Sequence, residues 1–494
     1  MKLRNWQSAC INAAISKYDN LKKHFLALAT PGAGKTIMAS VLAKKLYDQN
    51  KIDLVLCFSP SSIVAHDFSF ALSEQFDDHF DGAIGAMGNS YTYQGLSTLD
   101  KTVWRLFDRY RVFVIFDEIH HCAGSNAQDA NAWGEAIISK IKDSATYTIA
   151  LTGTPWRSDA LPIVLADYCN SSKQIQCDYT YGLKDAIHDN VCRIPQVIAL
   201  DNDQITVVEG DESSHFSSFL DLLSQSIIPY SEIVTNEIVI EQLITKANTK
   251  LTELRQINHS AGGLIVASSI VHAWQVQLIL KQILGETAVV VTSEEENPNN
   301  LITSFRYSQD KWVISVGMIA EGTNIPRLQV CCYLSNIKTE MYFRQVLGRT
   351  LRVTDSLNQE AFLFMPAEPK LVDYAYRIAQ DIPDGLAPVK FAQMDEVITV
   401  EEITEPEEID TPANPIEQLT DKPKIKLADT EIKVTDTLDE LDLTDNQSYI
   451  KSNNNIMNIF GEFNHRELEI EGFEHLIISE QSMASLANHS THVF

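Results

Sequence analysis

The chain has 494 residues, 45% of them hydrophobic and 21% charged, an ordinary globular balance with length for two to four domains. No apolar run approaches the ~20 residues that span a bilayer, and the opening MKLRNWQSACINAA lacks the apolar core of a signal peptide. The net charge of −27 speaks against a uniformly basic nucleic-acid coat, yet residues 392–494 alone hold 23 acidic and 6 basic residues, so the mildly acidic remainder can still carry a local basic groove.

In chain order, FLALAT, IDLVLCFS, VFVIFDE and YTIALTGT are short apolar runs between residues 25 and 165, each followed by a helix-like stretch. This alternation is the signature of a doubly wound α/β domain with a parallel sheet. Between about 200 and 258 the pattern pauses. An acidic, serine-rich piece (VVEGDESSHFSS) precedes EIVIEQLITKANTKLTELRQI, which has helical periodicity. A second α/β series follows: GGLIVASS, AVVVTS, KWVISVG, VCCYLS and EAFLFMP. After Met394 the chain turns acidic and proline-bearing without a sustained period, so roughly 395–455 reads as disordered or loosely ordered. The end, NIMNIFGEFNHRELEIEGFEHLIISEQ, regains apolar residues and reads as a small docked element or a partner-binding peptide. The eight cysteines (10, 57, 122, 169, 177, 192, 331, 332) show no CxxC spacing and read as reduced core residues of a cytoplasmic protein.

ATPGAGKT, residues 29–36, stands between an apolar run and the helix-like IMASVLAKKLYDQ. It fits the Walker A phosphate loop except that Ala29 stands where the strict form has glycine. Thr30, Pro31, Gly32, Ala33 and Gly34 would form the loop, with the glycines letting backbone N–H groups turn inward around phosphates. Lys35 would reach the β- and γ-phosphates of ATP, and Thr36 would ligate Mg²⁺. The helix start adds its positive dipole end.

FDEIHHC, residues 116–122, closes the buried-strand run RVFVIF. Its residue types suit zinc, but a helical zinc site needs two imidazoles one turn apart, and His120 and His121 are adjacent. Beside a phosphate loop, Asp117 reads as the Walker B carboxylate on Mg²⁺, and Glu118 as the group that orients and activates the attacking water. His120 then couples this site to a neighbouring loop.

With these motifs in place the chain resembles superfamily 2 helicases and translocases of the DEAD/DEAH type. LRNWQ (3–7) resembles the adenine-recognition element, with Gln7 reading the base. FSPSSIVAHDF (58–68) resembles motif Ia, and TYQGL (92–96) the nearby loop on the nucleic-acid backbone. LTGTP (151–155) resembles motif III, where Thr152 and Thr154 would link the ATP site to the strand-binding face. LIVASSIVHA (264–273) resembles motif IV, VGMIAEGTNIP (316–326) motif V with Gly322 and Asn324 at the nucleotide, and FRQVLGRTLR (343–352) the motif VI pattern Q-x-x-G-R-x-x-R. Gln345, Arg349 and Arg352 stand at i, i+4 and i+7, so one helix face is expected to present all three. Its guanidiniums would stabilise charge on the transferring phosphoryl group. Gly348 would allow close backbone approach.

The resemblance covers about residues 1–390 and is nearest to the bacterial and phage proteins named after the helicase subunit of type III restriction enzymes. It implies two tandem RecA-like domains with ATP in the cleft and an acidic, partly disordered C-terminal extension. The expected division is an ATP-binding domain at 1–200, a helical connection at 201–258, a second domain at 259–391, an acidic low-order linker at 392–455 and a small element at 456–494. Ser61, Thr92, Tyr93, Gln94, Ser268, Thr292 and Asn324 would lie on backbone-contacting loops. ATP and Mg²⁺ are the implied substrate and cofactor, and nucleic acid is the implied track, DNA ahead of RNA. A nuclease or methylase partner could dock through the C-terminal extension, and no membrane is implied. Pro383 and Asp384 with Glu431-Ile432-Lys433 have the residue types of a PD…ExK nuclease, but the second half falls in the acidic tail and the pattern is not read as one. Two alternatives stay open: an RNA-dependent ATPase, and a nucleotide-switched assembly subunit that recruits its partner on binding ATP.

Overall fold

The computed structural model describes residues 2–124, 130–155, 161–169, 175–209, 212–225, 228–319, 323–380, 382, 389–394 and 398–401. Gly322, Pro383, Asp384, Glu431 and the whole stretch 402–494, including the expected linker beyond 401 and the C-terminal element, lie outside the described residues.

Five strands open the chain: β1 (His24–Ala29), β2 (Leu54–Ser59), β3 (Gly88–Thr92), β4 (Val112–Phe116) and β5 (Tyr147–Thr152). A short antiparallel hairpin, β6 (Asp167–Tyr168) with β7 (Ile175–Gln176), leads to β8 (Tyr179–Tyr181). The first sheet runs β3-β2-β4-β5-β1-β8, and every pair in it is parallel. All five residues of β4 are buried. Phe113 and Ile115 pack on the face that also buries Met38, Leu42 and Phe68, while Val112, Val114 and Phe116 pack with Ile137 and Ile141 on the other. A sheet covered on both faces needs apolar residues at every position, which is why VFVIF shows no alternation. The helices α1 (Asn5–Asp19), α2 (Lys35–Asp48) and α3 (Ser62–Phe76) lie side by side on the first of these faces.

The second sheet is larger than expected. It gathers β9 (Ile194–Asp201) with strands that come later in the chain, after the intervening β10 (Ile205–Glu209) and β11 (Glu212–Phe216). These are β12 (Gly262–Ala267), β13 (Ala288–Val291), β14 (Trp312–Ser315), β15 (Leu328–Leu334), β16 (Glu360–Pro366) and β17 (Val389–Gln393). The order is β13-β14-β12-β15-β16-β9-β17, parallel throughout. Residues 194–200, assigned from the sequence to the first domain, thus pair within the second. The crossing between sheets lies at 182–193.

The stretch 201–258 is not simply a helical connection. β10 and β11 form an antiparallel hairpin, and β18 (Ile398–Glu401) adds to β10 in parallel. β18 also corrects the reading of the linker, whose residues 398–401 pair into this sheet. The helix Glu237–Ile257 forms where its periodicity placed it. Asn236 caps it by accepting from Ile238 N (3.0 Å) and Val239 N (3.3 Å). Its stripe of Val239, Ile240, Leu243, Ile244, Ala247, Leu251 and Leu254 packs on β15 and β16, so it belongs to the second domain's core. Among the described residues no helix is long and apolar enough to cross a membrane.

Candidate nucleotide site between the two sheets

The expected phosphate loop, residues 29–36, turns directly off β1. Thr30 N donates to Tyr181 O on β8 (3.1 Å), and Ala33 N closes a turn onto Thr30 O (3.2 Å). Gly32 (φ +83°) and Gly34 (φ +94°) take left-handed conformations that strain other residues, and Lys35 begins α2. Ala29 is the buried last residue of β1 and does not share the positive φ, so this place needs no glycine. Gln7 is buried in α1 with both amide atoms engaged: Nε2 donates to Gly34 O (3.0 Å), and Oε1 accepts from Arg4 N (2.9 Å). Arg4 donates to Ala33 O (2.7 Å), a contact with the loop that the sequence did not suggest. Thr36 is half-buried in the first turn of α2.

Asp117 follows β4, buried, its N–H donating to Phe58 O (2.9 Å). Burial, and then the charge of Glu118, push its carboxyl above the usual range. Glu118 sits in the left-handed region (φ +49°), an uncommon conformation for a residue with a side chain. Its carboxylate lies 3.1 Å from Lys35 Nζ and accepts from Gly153 N (3.1 Å), with His120 Nδ1 at 3.4 Å. Burial opposes its ionisation, but Lys35, His120 and the Gly153 N–H together hold it below the usual range.

His120 is buried. Its Nδ1 lies 2.9 Å from Thr152 Oγ1 and 3.4 Å from Thr154 Oγ1. Thr152 Oγ1 already donates to Thr154 O (2.8 Å), so it accepts from the imidazole, which places the ring proton on Nδ1. His120 Nε2 lies 3.2 Å from Gln345 Nε2 of the second domain. The expected coupling residues are therefore in one network. His121 lies against His120, rings 4.4 Å apart, and among the described residues no cluster of three or more His, Cys, Asp or Glu could hold a metal ion.

The helix Glu340–Thr350 sits on the phosphate loop. A methyl group at Gly348 would lie 2.6 Å from Pro31 Cβ, and one at Gly32 would lie 3.2 Å from Arg352 Cγ. Gln345 and Arg349 are on this helix as expected. Arg349 Nη1 donates to Thr323 O (2.9 Å). Arg352 is not on it: the helix ends at Thr350, and Arg352 forms an isolated antiparallel bridge with Cys192. Its guanidinium bonds Asn324 Oδ1; burial and the nearby Arg349 and Arg306 push it down to about 9.

Of the expected strand-contacting residues, Gln94 is exposed and Ser61, Thr92 and Ser268 are half-buried. All four lie at or just past the C-terminal ends of β2, β3 and β12, the ends that face the cleft. Tyr93 and Thr292 are corrected: at 0% and 1% exposure their side chains offer no surface. Tyr93 instead donates its hydroxyl to Asp117 O (2.7 Å), holding the Asp117 backbone. Aromatic character alone could suggest stacking on a base as readily as this core role.

Residues 1–157 match the family model of the type III restriction enzyme res subunit. An uncharacterized protein of Mycobacterium leprae is 30% identical over 394 residues, covering 76% of this chain and 63% of the relative. One from Mycobacterium tuberculosis is 30% identical over 388 residues, covering 76% and 62%. The chain thus spans less than two thirds of the curated relatives it matches. A fragment structure assigned to an HsdR subunit of a type I restriction enzyme from Vibrio vulnificus YJ016 superposes with a TM-score of 0.57 at 16% identity, over 79% of this chain and 69% of that one. The ATP-dependent Type ISP restriction-modification enzyme LlaBIII, bound to DNA, gives 0.51 at 13% identity, over 82% and 32%. At these identities the likeness is one of fold. Residues 1–157 thus resemble the res-subunit family, and the two parallel sheets share their fold with restriction-enzyme subunits.

Proposed function

We propose that the chain hydrolyses ATP and uses the cycle to move along nucleic acid, DNA in preference to RNA. The observation that carries this reading is the seating of the Glu340–Thr350 helix on the phosphate loop, with Gln345 bonded to His120 across the cleft. The two working units on this reading are the residues before the 182–193 crossing and those from 194 to 401.

Lys35 holds Glu118 in the conformation described. Incoming phosphates would compete for that ammonium, leaving Glu118 to orient a water and accept its proton as the water oxygen bonds the γ-phosphorus and the bond to the leaving diphosphate breaks. Arg349 and Arg352 approach from the second domain to stabilise the charge that develops, so turnover depends on closure. Thr36 and Asp117 would hold Mg²⁺, which when bound neutralises phosphate charge. The donor set fits a hard cation: a hydroxyl and a buried carboxylate whose ionisation burial and Glu118 oppose and a cation would favour. Ser61, Thr92, Gln94 and Ser268 would meet the phosphate backbone from the two sheets, which carries little sequence information. The DNA-bound relative in fold supports DNA as the track.

The test is single-turnover hydrolysis by Arg349→Ala and Arg352→Ala proteins. Rates should fall by about 10³-fold, the scale of arginine-finger losses, while nucleotide still binds. Full turnover in both would overturn the closure reading.

A further inference from the structure

The last two residues of the interdomain crossing touch both halves of the cleft. Cys192 pairs through its backbone with Arg352, and its thiol donates to Pro31 O of the phosphate loop at 3.4 Å. Arg193 N donates to Leu351 O at 2.7 Å. The Arg193 side chain is 0% exposed. Its guanidinium donates to Thr350 O (3.1 Å), Leu328 O (2.6 Å) and Thr354 Oγ1 (3.1 Å).

No carboxylate among the described residues pairs with this buried cation, and burial alone lowers its pKa, to about 10. Keeping such a charge inside a protein is costly, and ordinary packing would be served by an apolar side chain. What the charge does hold is specific. Thr350 ends the arginine-bearing helix and Leu351 follows it, so their carbonyls are acceptors that the helix itself leaves unused. Those two carbonyls stand between Arg349 and Arg352. Leu328, whose carbonyl is another of the acceptors, opens β15 in the middle of the second sheet. One side chain therefore fixes three things together: the crossing, the sheet and the segment that bears both arginines.

We propose that Arg193 is a positioning residue that locks this segment to the interdomain crossing, so that domain closure carries Arg349 and Arg352 onto the phosphate loop in register. The inference rests on the ATPase reading above. A crossing that slid freely past Leu351 would let the domains close with the guanidiniums misplaced, and misplacement by about 1 Å is enough to lose most of a rate enhancement.

The experiment uses the full chain and compares Arg193→Lys and Arg193→Gln, each in the wild-type and the Arg352→Ala background. Lysine keeps the charge but cannot span three acceptors, and glutamine keeps a donor without charge. kcat is taken per nucleotide-binding site, counted with a fluorescent ADP analogue, so unfolded protein does not enter. In the wild-type background both variants should lose about tenfold or more in kcat, with analogue affinity within about twofold. In the Arg352→Ala background the further loss should vanish, because groups acting as one unit are not additive. Gln329→Leu, which removes a buried side chain beside Leu328 that bonds Asn358 and Glu360, should keep its kcat despite lost stability. Wild-type kcat in Arg193→Lys and Arg193→Gln, or an equal proportional loss in both backgrounds, would overturn the proposal. Wild-type turnover by Arg352→Ala would take Arg352 out of the chemistry and overturn this inference alone, whereas wild-type hydrolysis no faster than that of Lys35→Ala would overturn the ATPase reading, so the two failures are told apart.

Discussion

Gly348→Ala isolates the contact between the two domains. Gly348 lies inside the Glu340–Thr350 helix without a positive φ, so alanine should suit the backbone better, by about 1 kcal/mol of helix propensity. The added methyl carbon would stand 2.6 Å from Pro31 Cβ and 2.7 Å from Pro31 Cγ. Carbon atoms rest at about 3.5–4.0 Å, so the helix and the phosphate loop must part by roughly 1 Å. A shift of that size at a reacting centre costs on the order of 10²-fold in rate. The variant should therefore melt at or slightly above the wild-type temperature, bind nucleotide, and hydrolyse ATP about 10–100-fold more slowly, an unusual separation of stability from activity. Thermal melts beside steady-state hydrolysis give both readings on one preparation. Wild-type turnover would refute the claim that this helix must seat on the loop. A large loss of stability would refute the claim that the glycine serves the interface and not the helix.

Lys35→Ala removes the ammonium that bridges Glu118 and Ala29 O; hydrolysis should fall by about 10²-fold or more, and a variant that retained turnover would remove Lys35 from the site. Tyr93→Phe deletes one buried hydrogen bond to Asp117 O; urea melts should show a loss of about 1 kcal/mol and hydrolysis should slow, whereas no change in either would show that Asp117 is held by other means. Asp201 closes β9 and accepts from Phe219 N and Asn202 N, and burial raises its carboxyl from 3.8 to about 6. A raised folded value means the neutral form is favoured in the fold: its contribution is complete below about 3.8 and is lost as pH rises through about 6. Asp201→Asn keeps the accepting oxygen without the charge, so it should be the more stable protein at pH 8, by up to roughly 3 kcal/mol, and equal near pH 3.5. A constant difference across that range would place the effect elsewhere.

The candidate nucleotide site was legible as a cluster of residues because its geometric demands are local. Gly32 and Gly34 must supply positive φ, Lys35 must follow them, and Asp117 must end a strand buried on both faces, and each demand is visible within a few residues. Even the departure at Ala29 has a local cause, since that residue still belongs to β1. Sheet membership was not legible. A strand such as Ile194–Asp201 carries the same apolar signal whichever sheet it joins, and its partners Glu360–Pro366 and Val389–Gln393 stand more than 150 residues away. The hairpin of Ile205–Glu209 and Glu212–Phe216 hides because its second strand, ESSHF, is polar where strands are usually β-branched, which leaves the β-branched ITVVE without a visible partner. Arg352 was placed on a helix by spacing alone, but spacing does not say where a helix stops; the bridge to Cys192 does. Tyr93 and Thr292 fell on the right strand ends, yet the sequence could not tell an inward side chain from an outward one there.

The most direct measurement is steady-state ATP hydrolysis by wild type and Lys35→Ala, alone and with single-stranded DNA, duplex DNA and RNA. The wild type should be stimulated strongly by DNA and more weakly by RNA, and the variant by neither. A slow rate indifferent to every polymer would contradict a translocating motor and favour a nucleotide-switched assembly subunit. Stimulation confined to RNA would keep the motor and replace its track.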